Sequence, residues 1–130
     1  MNPIETFELG ISHFNEGRFF EAHEEWERLW LAESEPHKTF LQGLIQLAAA
    51  FHHHSRGNRR GAEALLAAAV AKLEQFPGNY HGLAIAELRS SACEWLITLR
   101  SGDSCRGRAL LQIHAISKQR QKVQSGDDSC

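Results

Sequence analysis

Apolar residues recur at helical spacing through almost the whole of this chain, and each interruption of the pattern carries a residue that stops a helix. β-Branched residues are sparse, and no stretch is found that alternates apolar and polar residues over a strand's length. The periodicity predicts helices over about 3–15, 19–33, 37–56, 59–76, 82–100 and 105–122. Gly17 offers the left-handed conformation that ends a helix cheaply, Pro36 suits a first helical turn, and Gly57-Asn58 repeats the stop signal. Pro77-Gly78-Asn79 and Ser101-Gly102-Asp103 close the fourth and fifth helices. The expected fold is therefore all-α: a compact single-domain bundle of five to six helices, built from antiparallel helical hairpins over residues 1–124. Residues 125–130, rich in Gly, Asp and Ser, are expected to be a flexible tail.

At 130 residues the chain suits one domain that can bury a sizeable core without staples. The formal net charge of −2 provides no basic field of the kind nucleic-acid binding requires. Arg106-Gly107-Arg108 and Lys118-Gln119-Arg120-Gln121-Lys122 are mildly basic and suit contact with RNA or an acidic partner, but a soluble helix end explains them equally well. The longest apolar run, Leu44 to Phe51, is interrupted by Gln46 and falls well short of the ~20 residues that span a bilayer. No basic region followed by an apolar run opens the sequence, so no secretory signal is expected. Cys93, Cys105 and Cys130 are odd in number and lack C-x-x-C spacing, which supports neither a disulfide framework nor a zinc site. A reducing, cytoplasmic location is expected.

A weak internal repeat is visible. Gly17-Arg18-Phe19-Phe20-Glu21-Ala22 and Gly57-Asn58-Arg59-Arg60-Gly61-Ala62 both place an alanine five residues after a helix-ending glycine. Tetratricopeptide repeats use the same spacing, where the small alanine lets two helices approach closely. The two copies, at 17 and 57, lie 40 residues apart rather than the ~34 of such an array, and no third copy follows.

The second helix carries the most unusual chemistry. Phe19, Ala22, Trp26, Leu29 and Trp30 fall on one arc, and His23 lies inside it. Glu27 is on the border of the arc, one helical turn from His23, whereas the wheel directs Glu24 away from the aromatic centre. The third helix is apolar on one face through Phe40, Leu41, Leu44, Leu47 and Phe51. Its other face carries Thr39, Gln42, Gly43, Gln46, Ala49, Ala50 and His53, so the helix is expected to be sandwiched, with Gln42, Gln46 and His53 as an interior polar stripe. Antiparallel packing about Ser34-Glu35-Pro36 would pair Trp30 with Thr39, Glu27 with Gln42 and His23 with Gln46. His53 would then lie roughly 10 Å along the axis from Gln46.

Two roles follow for this seam. In one, His23, Glu24 and Glu27 are candidate catalytic acid–base groups and Gln42, Gln46 and His53 candidate ligand-binding groups, with His23, Glu27 and His53 able in principle to ligate a divalent metal. In the other, the same residues form a hydrogen-bonded core network that fixes helix register. His23-Glu24-Glu25-Trp26-Glu27 is not the H-E-x-x-H zinc pattern, and no Glu-x-x-His pair matches a di-iron bundle. Of His52-His53-His54 at most one can face the stripe, and the other two are expected on the surface. Ile85, Leu88, Leu96, Leu110, Leu111 and Ile113 on the fifth and sixth helices are a candidate homodimer face.

The string Phe14-Asn15-Glu16-Gly17-Arg18-Phe19-Phe20-Glu21-Ala22-His23-Glu24-Glu25-Trp26-Glu27 is followed by Gln42-Gly43-Leu44-Ile45-Gln46-Leu47-Ala48-Ala49-Ala50, by His53, and by Gly57-Asn58-Arg59-Arg60-Gly61-Ala62. Together they resemble the family called domain of unknown function 309, over about residues 7–76. The resemblance implies a compact all-helical bundle with no established activity, and recurrent polar positions at His23, Glu24, Glu27, Gln46 and His53. It thereby places Glu24 in the interior, against the wheel. The functional expectation is a helical-bundle protein with a metal or small-ligand pocket of hydrolase-like chemistry between the second and third helices, and neither nucleic-acid nor membrane partners. A tetratricopeptide-like interaction module or a dimerising structural domain is the alternative, and the sequence does not decide whether the protein is an enzyme.

Overall fold

The computed structural model describes residues 2–116. Five helices carry the fold: α1 (Pro3–Asn15), α2 (Phe19–Ala32), α3 (His37–Ser55), α4 (Arg59–Leu73) and α5 (Ile85–Ser101). A short hairpin, β1 (Asn79–Tyr80) and β2 (Leu83–Ala84), joins α4 to α5. The all-α expectation holds, with helix boundaries close to those read from periodicity for α1 to α4.

Each helix starts and stops for a local reason. Asn2 caps α1 through a reciprocal box with Glu5, and Asn58 caps α4 by accepting from the Gly61 amide. Gly17 and Gly57 have φ of 82° and 81°, and the residues after them, Arg18 and Asn58, donate to the His13 and His53 carbonyls respectively. The repeated glycine motif therefore builds the same helix stop twice, and the alanines it positions, Ala22 and Ala62, are both buried. Thr39 donates from its amide and hydroxyl to Glu35 Oε1 at the start of α3, where the Glu35–Pro36 peptide is cis.

α3 packs against α2 on one side and α4 on the other, as its two-faced composition requires. Phe40, Leu41, Leu44, Leu47 and Phe51 are buried, and Gly43 and Ala50 disappear on the opposite face. Phe19 meets Phe51 at a ring separation of 5.5 Å, and the Lys38 ammonium lies 4.3 Å from the centre of the Trp30 ring. These contacts, at opposite ends of the pair, set α2 and α3 antiparallel close to the expected register. On the other flank of α2, the Trp26 indole crosses to α1 and donates to the Phe7 carbonyl at 3.2 Å.

The sixth helix is a correction. Residues 103–116 are not helical but form a strap, and residues 117–122 of that expected helix lie outside the described residues, as does the tail. Leu111 and Ile113 are buried while Gln112 and His114 are exposed, a two-residue period that belongs to extended chain. The Asn15 side chain pairs with the strap as a neighbouring strand would: Oδ1 accepts from the Ile113 amide at 2.7 Å and Nδ2 donates to its carbonyl at 3.0 Å. Farther along, the Ala84 amide donates to the His114 carbonyl and the Ile116 amide to that of Gly82, extending the hairpin. Arg59 secures the start of the strap by donating to the carbonyls of Thr98, Leu99 and Asp103.

Two further expectations change. Ile85, Leu88, Leu96, Leu111 and Ile113, proposed as a dimer face, belong to the core, and of that set only Leu110 is exposed. Cys93 is buried in α5 and disulfide-bonded, against the expectation drawn from cysteine number and spacing, whereas Cys105 is a half-buried free thiol. Cys130 lies outside the described residues. No helix among the described residues is long and apolar enough to cross a membrane.

Candidate functional site

The α2–α3 seam brings together fewer of its expected members than the wheels suggested. His23 is half-buried and stacks on the exposed Phe20, with ring centres 6.1 Å apart and planes at 13°. Its Nδ1 atom, Gln46 Oε1 and Trp30 Nε1 are all buried and make no hydrogen bond among the described residues. Gln42 is half-buried, but Glu24 and Glu27 are exposed. Glu27 faces solvent because the aromatic arc of α2 is taken up by α1 and α3, leaving its border outside the contact.

His53 does not join the seam. Its Nδ1 lies 3.0 Å from the Asn58 amide nitrogen at the α3–α4 turn, about two helical turns beyond Gln46. It is His52 that approaches His23, through Phe20, whose ring lies 5.5 Å from that of His52. His54 packs edge-on against Trp95, so the two histidines expected on the surface each have an aromatic partner. Among the described residues no group of three or more His, Cys, Asp and Glu side chains is arranged to hold a metal ion. His23, Glu27 and His53 are thus not gathered into a ligand set.

A concavity lies elsewhere, between α1, the α2–α3 corner, the hairpin and the strap. It has a volume of about 790 Å³, within the ~300–1,000 Å³ range of small-molecule sites. Ile4 and Ile11 of α1, Leu29, Leu41, Leu83 and Ile113 supply apolar wall. Phe7, His37 and His81 form an aromatic end, and Glu8 and Glu33 are the acidic residues of the lining.

The aromatic end is held from behind. The rings of His37 and His81 are 4.3 Å apart, and Phe7 meets His81 edge-on at 5.6 Å. Phe40 backs His37 at 5.4 Å, and Phe40, Phe76 and Tyr80 pack on one another. His81 reaches this position through the hairpin turn, in which His81 and Gly82 both have positive φ, 56° and 77°. Two such residues make the mirror-image turn whose twist matches the flanking strands. Histidine is uncommon in that conformation, and here its ring gains three aromatic neighbours, Phe7, His37 and Tyr80, besides Phe40 at the edge of contact.

Burial lowers the His37 pKa, the neighbouring His81 lowers it further, and Glu33 opposes both. His37 is therefore neutral at neutral pH. Burial, and secondarily Glu33, raises the Tyr80 pKa, so its phenol stays protonated. The Tyr80 hydroxyl lies 3.3 Å from His37 Nδ1; a phenol donating there leaves the imidazole proton on Nε2.

Sequence reasoning missed this groove. His37 follows Pro36 directly and reads as a helix start, and Tyr80-His81-Gly82 reads as the approach to a helix. One signal was present: Ile4, Phe7 and Ile11 mark an apolar stripe on α1, from which Ile4 remains 69% exposed.

Residues 7–65 match the family model described as Domain of unknown function (DUF309). That segment, 59 of the chain's 130 residues, is similar to the DUF309 family. An uncharacterized protein of Aquifex aeolicus (strain VF5) is 32% identical over 91 residues, 69% of this chain and 27% of that protein. The uncharacterized protein YpuF of Bacillus subtilis (strain 168) is 39% identical over 57 residues, 43% of this chain and 33% of YpuF. The matches thus span about a quarter to a third of the length of these relatives. The DUF309 segment contains His23, Glu24, Glu27, Gln46 and His53, and the exposure of Glu24 sides with the helical wheel against the burial inferred from family resemblance. The same segment supplies Phe7, Glu8, Ile11, Leu29, Glu33, His37 and Leu41 to the groove, whereas His81, Leu83 and Ile113 come from beyond it.

Proposed function

We propose that this protein is a ligand-binding domain that takes one small amphipathic molecule in the groove between α1, the start of α3, the hairpin and the strap. The observation that supports it is the groove's make-up: about 790 Å³ of largely apolar wall ending in the His37–His81 pair. An apolar body would lie along Ile4, Ile11, Leu29 and Ile113, and a polar end would meet the imidazoles. The metal-dependent hydrolase role for His23, Glu27 and His53 gains no support from a geometry in which Glu27 faces solvent and His53 pairs with Asn58. Nor do the seam residues form the hydrogen-bonded network of the other role, since His23 Nδ1, Gln46 Oε1 and Trp30 Nε1 make no hydrogen bond among the described residues; Phe20, His23 and His52 meet there by ring packing.

Titration with the neutral fluorophore N-phenyl-1-naphthylamine tests this function. Saturable binding of one probe per chain is expected, and Ala115→Trp, which fills the groove from an exposed position, should abolish it. Absence of saturable binding, or binding indifferent to Ala115→Trp, would overturn the assignment.

A further inference from the structure

Resting on that assignment, the composition of the groove also specifies the charge of its occupant. We propose that the groove selects a ligand whose polar end is a cation, an alkylammonium or arylammonium group, over neutral and anionic molecules of the same length.

Three features of the lining point the same way. Its carboxylates, Glu8 on α1 and Glu33 at the end of α2, have no basic counterpart among the described residues, where neither lysine nor arginine lines the groove. Neither carboxylate is in an ion pair among the described residues; Glu33 Oε1 accepts only from the Ser34 amide, and this leaves lone pairs for a second donor. Glu33 also acts on the aromatic end, because its charge is felt by both His37 and Tyr80.

The aromatic end completes the preference. Phe7, His37 and His81 present ring faces and edges at separations of 4.3 to 6.4 Å, with Tyr80 directly behind. Aromatic faces attract cations, most strongly where water is excluded. A carboxylate or phosphate entering the same space would meet two like charges and, among the described residues, no compensating cation, a desolvation cost with no return. The basic side chain nearest in sequence, Lys38, is held over the Trp30 ring and is not part of the lining.

Displacement of N-phenyl-1-naphthylamine by decylammonium, decan-1-ol and decanoate, each below its aggregation concentration at pH 7.5, separates charge from chain length. Decylammonium is expected to displace the probe at roughly ten-fold lower concentration than decanoate, with decanol between them. The preference should shrink as salt is raised. In the Glu8→Gln/Glu33→Gln double variant, the gap between the two ions should close. Equal displacement by all three compounds, or a cation preference that survives the double variant, would overturn the selectivity and leave the groove assignment standing. Failure of the probe to bind at all would overturn both.

Discussion

Gly10 and Gly43 show how differently two helical glycines constrain the packing. A Cβ at Gly10 would overlap the Trp26 indole, which lies across α1 and donates to the Phe7 carbonyl, so the ring would have to move and break that bond. At Gly43 the added atom would come within 3.3 Å of Leu73 Cδ2 and Lys72 Cβ, a displacement of tenths of an ångström. Gly10→Ala is therefore expected to destabilise the protein by about 1–3 kcal/mol despite the ~1 kcal/mol gain in helix propensity, and Gly43→Ala to be nearly neutral. Urea unfolding of both variants provides the comparison. At His37 the relevant quantity is a proton. Its folded-state pKa lies below the unfolded value, so above the unfolded pKa neither state binds a proton and the group adds no pH dependence. As pH falls below that value the unfolded chain takes up a proton that the folded chain resists, and stability declines until the folded pKa is passed. His37→Gln should flatten this part of the stability profile, which is read with Glu8, Glu33, Tyr80 and His81 left in place around it. A profile with the same slope in wild type and variant would remove His37 as the source.

Among the elements, the strap is the one whose behaviour follows least from local sequence. The strap is fixed to α1 around its buried residues Leu111 and Ile113: Asn15 satisfies both the amide and the carbonyl of Ile113, and the Gln112 side chain donates to the Asn15 carbonyl. Asn15→Ala would leave both main-chain groups without that partner and is expected to cost about 1–3 kcal/mol. Faster hydrogen exchange at the Ile113 amide, with α3 and α4 unchanged, would mark the loss as local to the strap. Helices α1 to α4 were legible because their stops are local chemistry: the two glycines, Pro36 and Asn58 act within one or two turns. Even the alternation at Leu111-Gln112-Ile113-His114 was written in the sequence, but four residues are too few to outweigh a helical pattern on either side. The hairpin was hidden for a related reason, because His81 holds a conformation that glycine or asparagine usually announces.

At the scale of the molecule, the groove joins parts that are remote in sequence, which is why periodicity reached one stripe of it and missed the cavity. Ile4, Phe7 and Ile11 come from the first helix, Glu33 and His37 from the α2–α3 corner, and His81 and Ile113 from segments tens of residues later. The seam, by contrast, lies within a single hairpin, where helical wheels can pair residues directly. The division matters for the family, since the DUF309 segment provides the near walls and the hairpin and strap provide the far one. Ligand contacts spread over both should stabilise the whole domain and not one helix. At a free probe concentration ten times its Kd, N-phenyl-1-naphthylamine is expected to add roughly 1.4 kcal/mol to unfolding stability. Slower hydrogen exchange should accompany it both in α1 and at Leu83 and Ile113, because the groove closes only when those walls remain docked. Protection confined to α1 would place the probe on the α1 wall alone, and the far wall would then have no part in recognition.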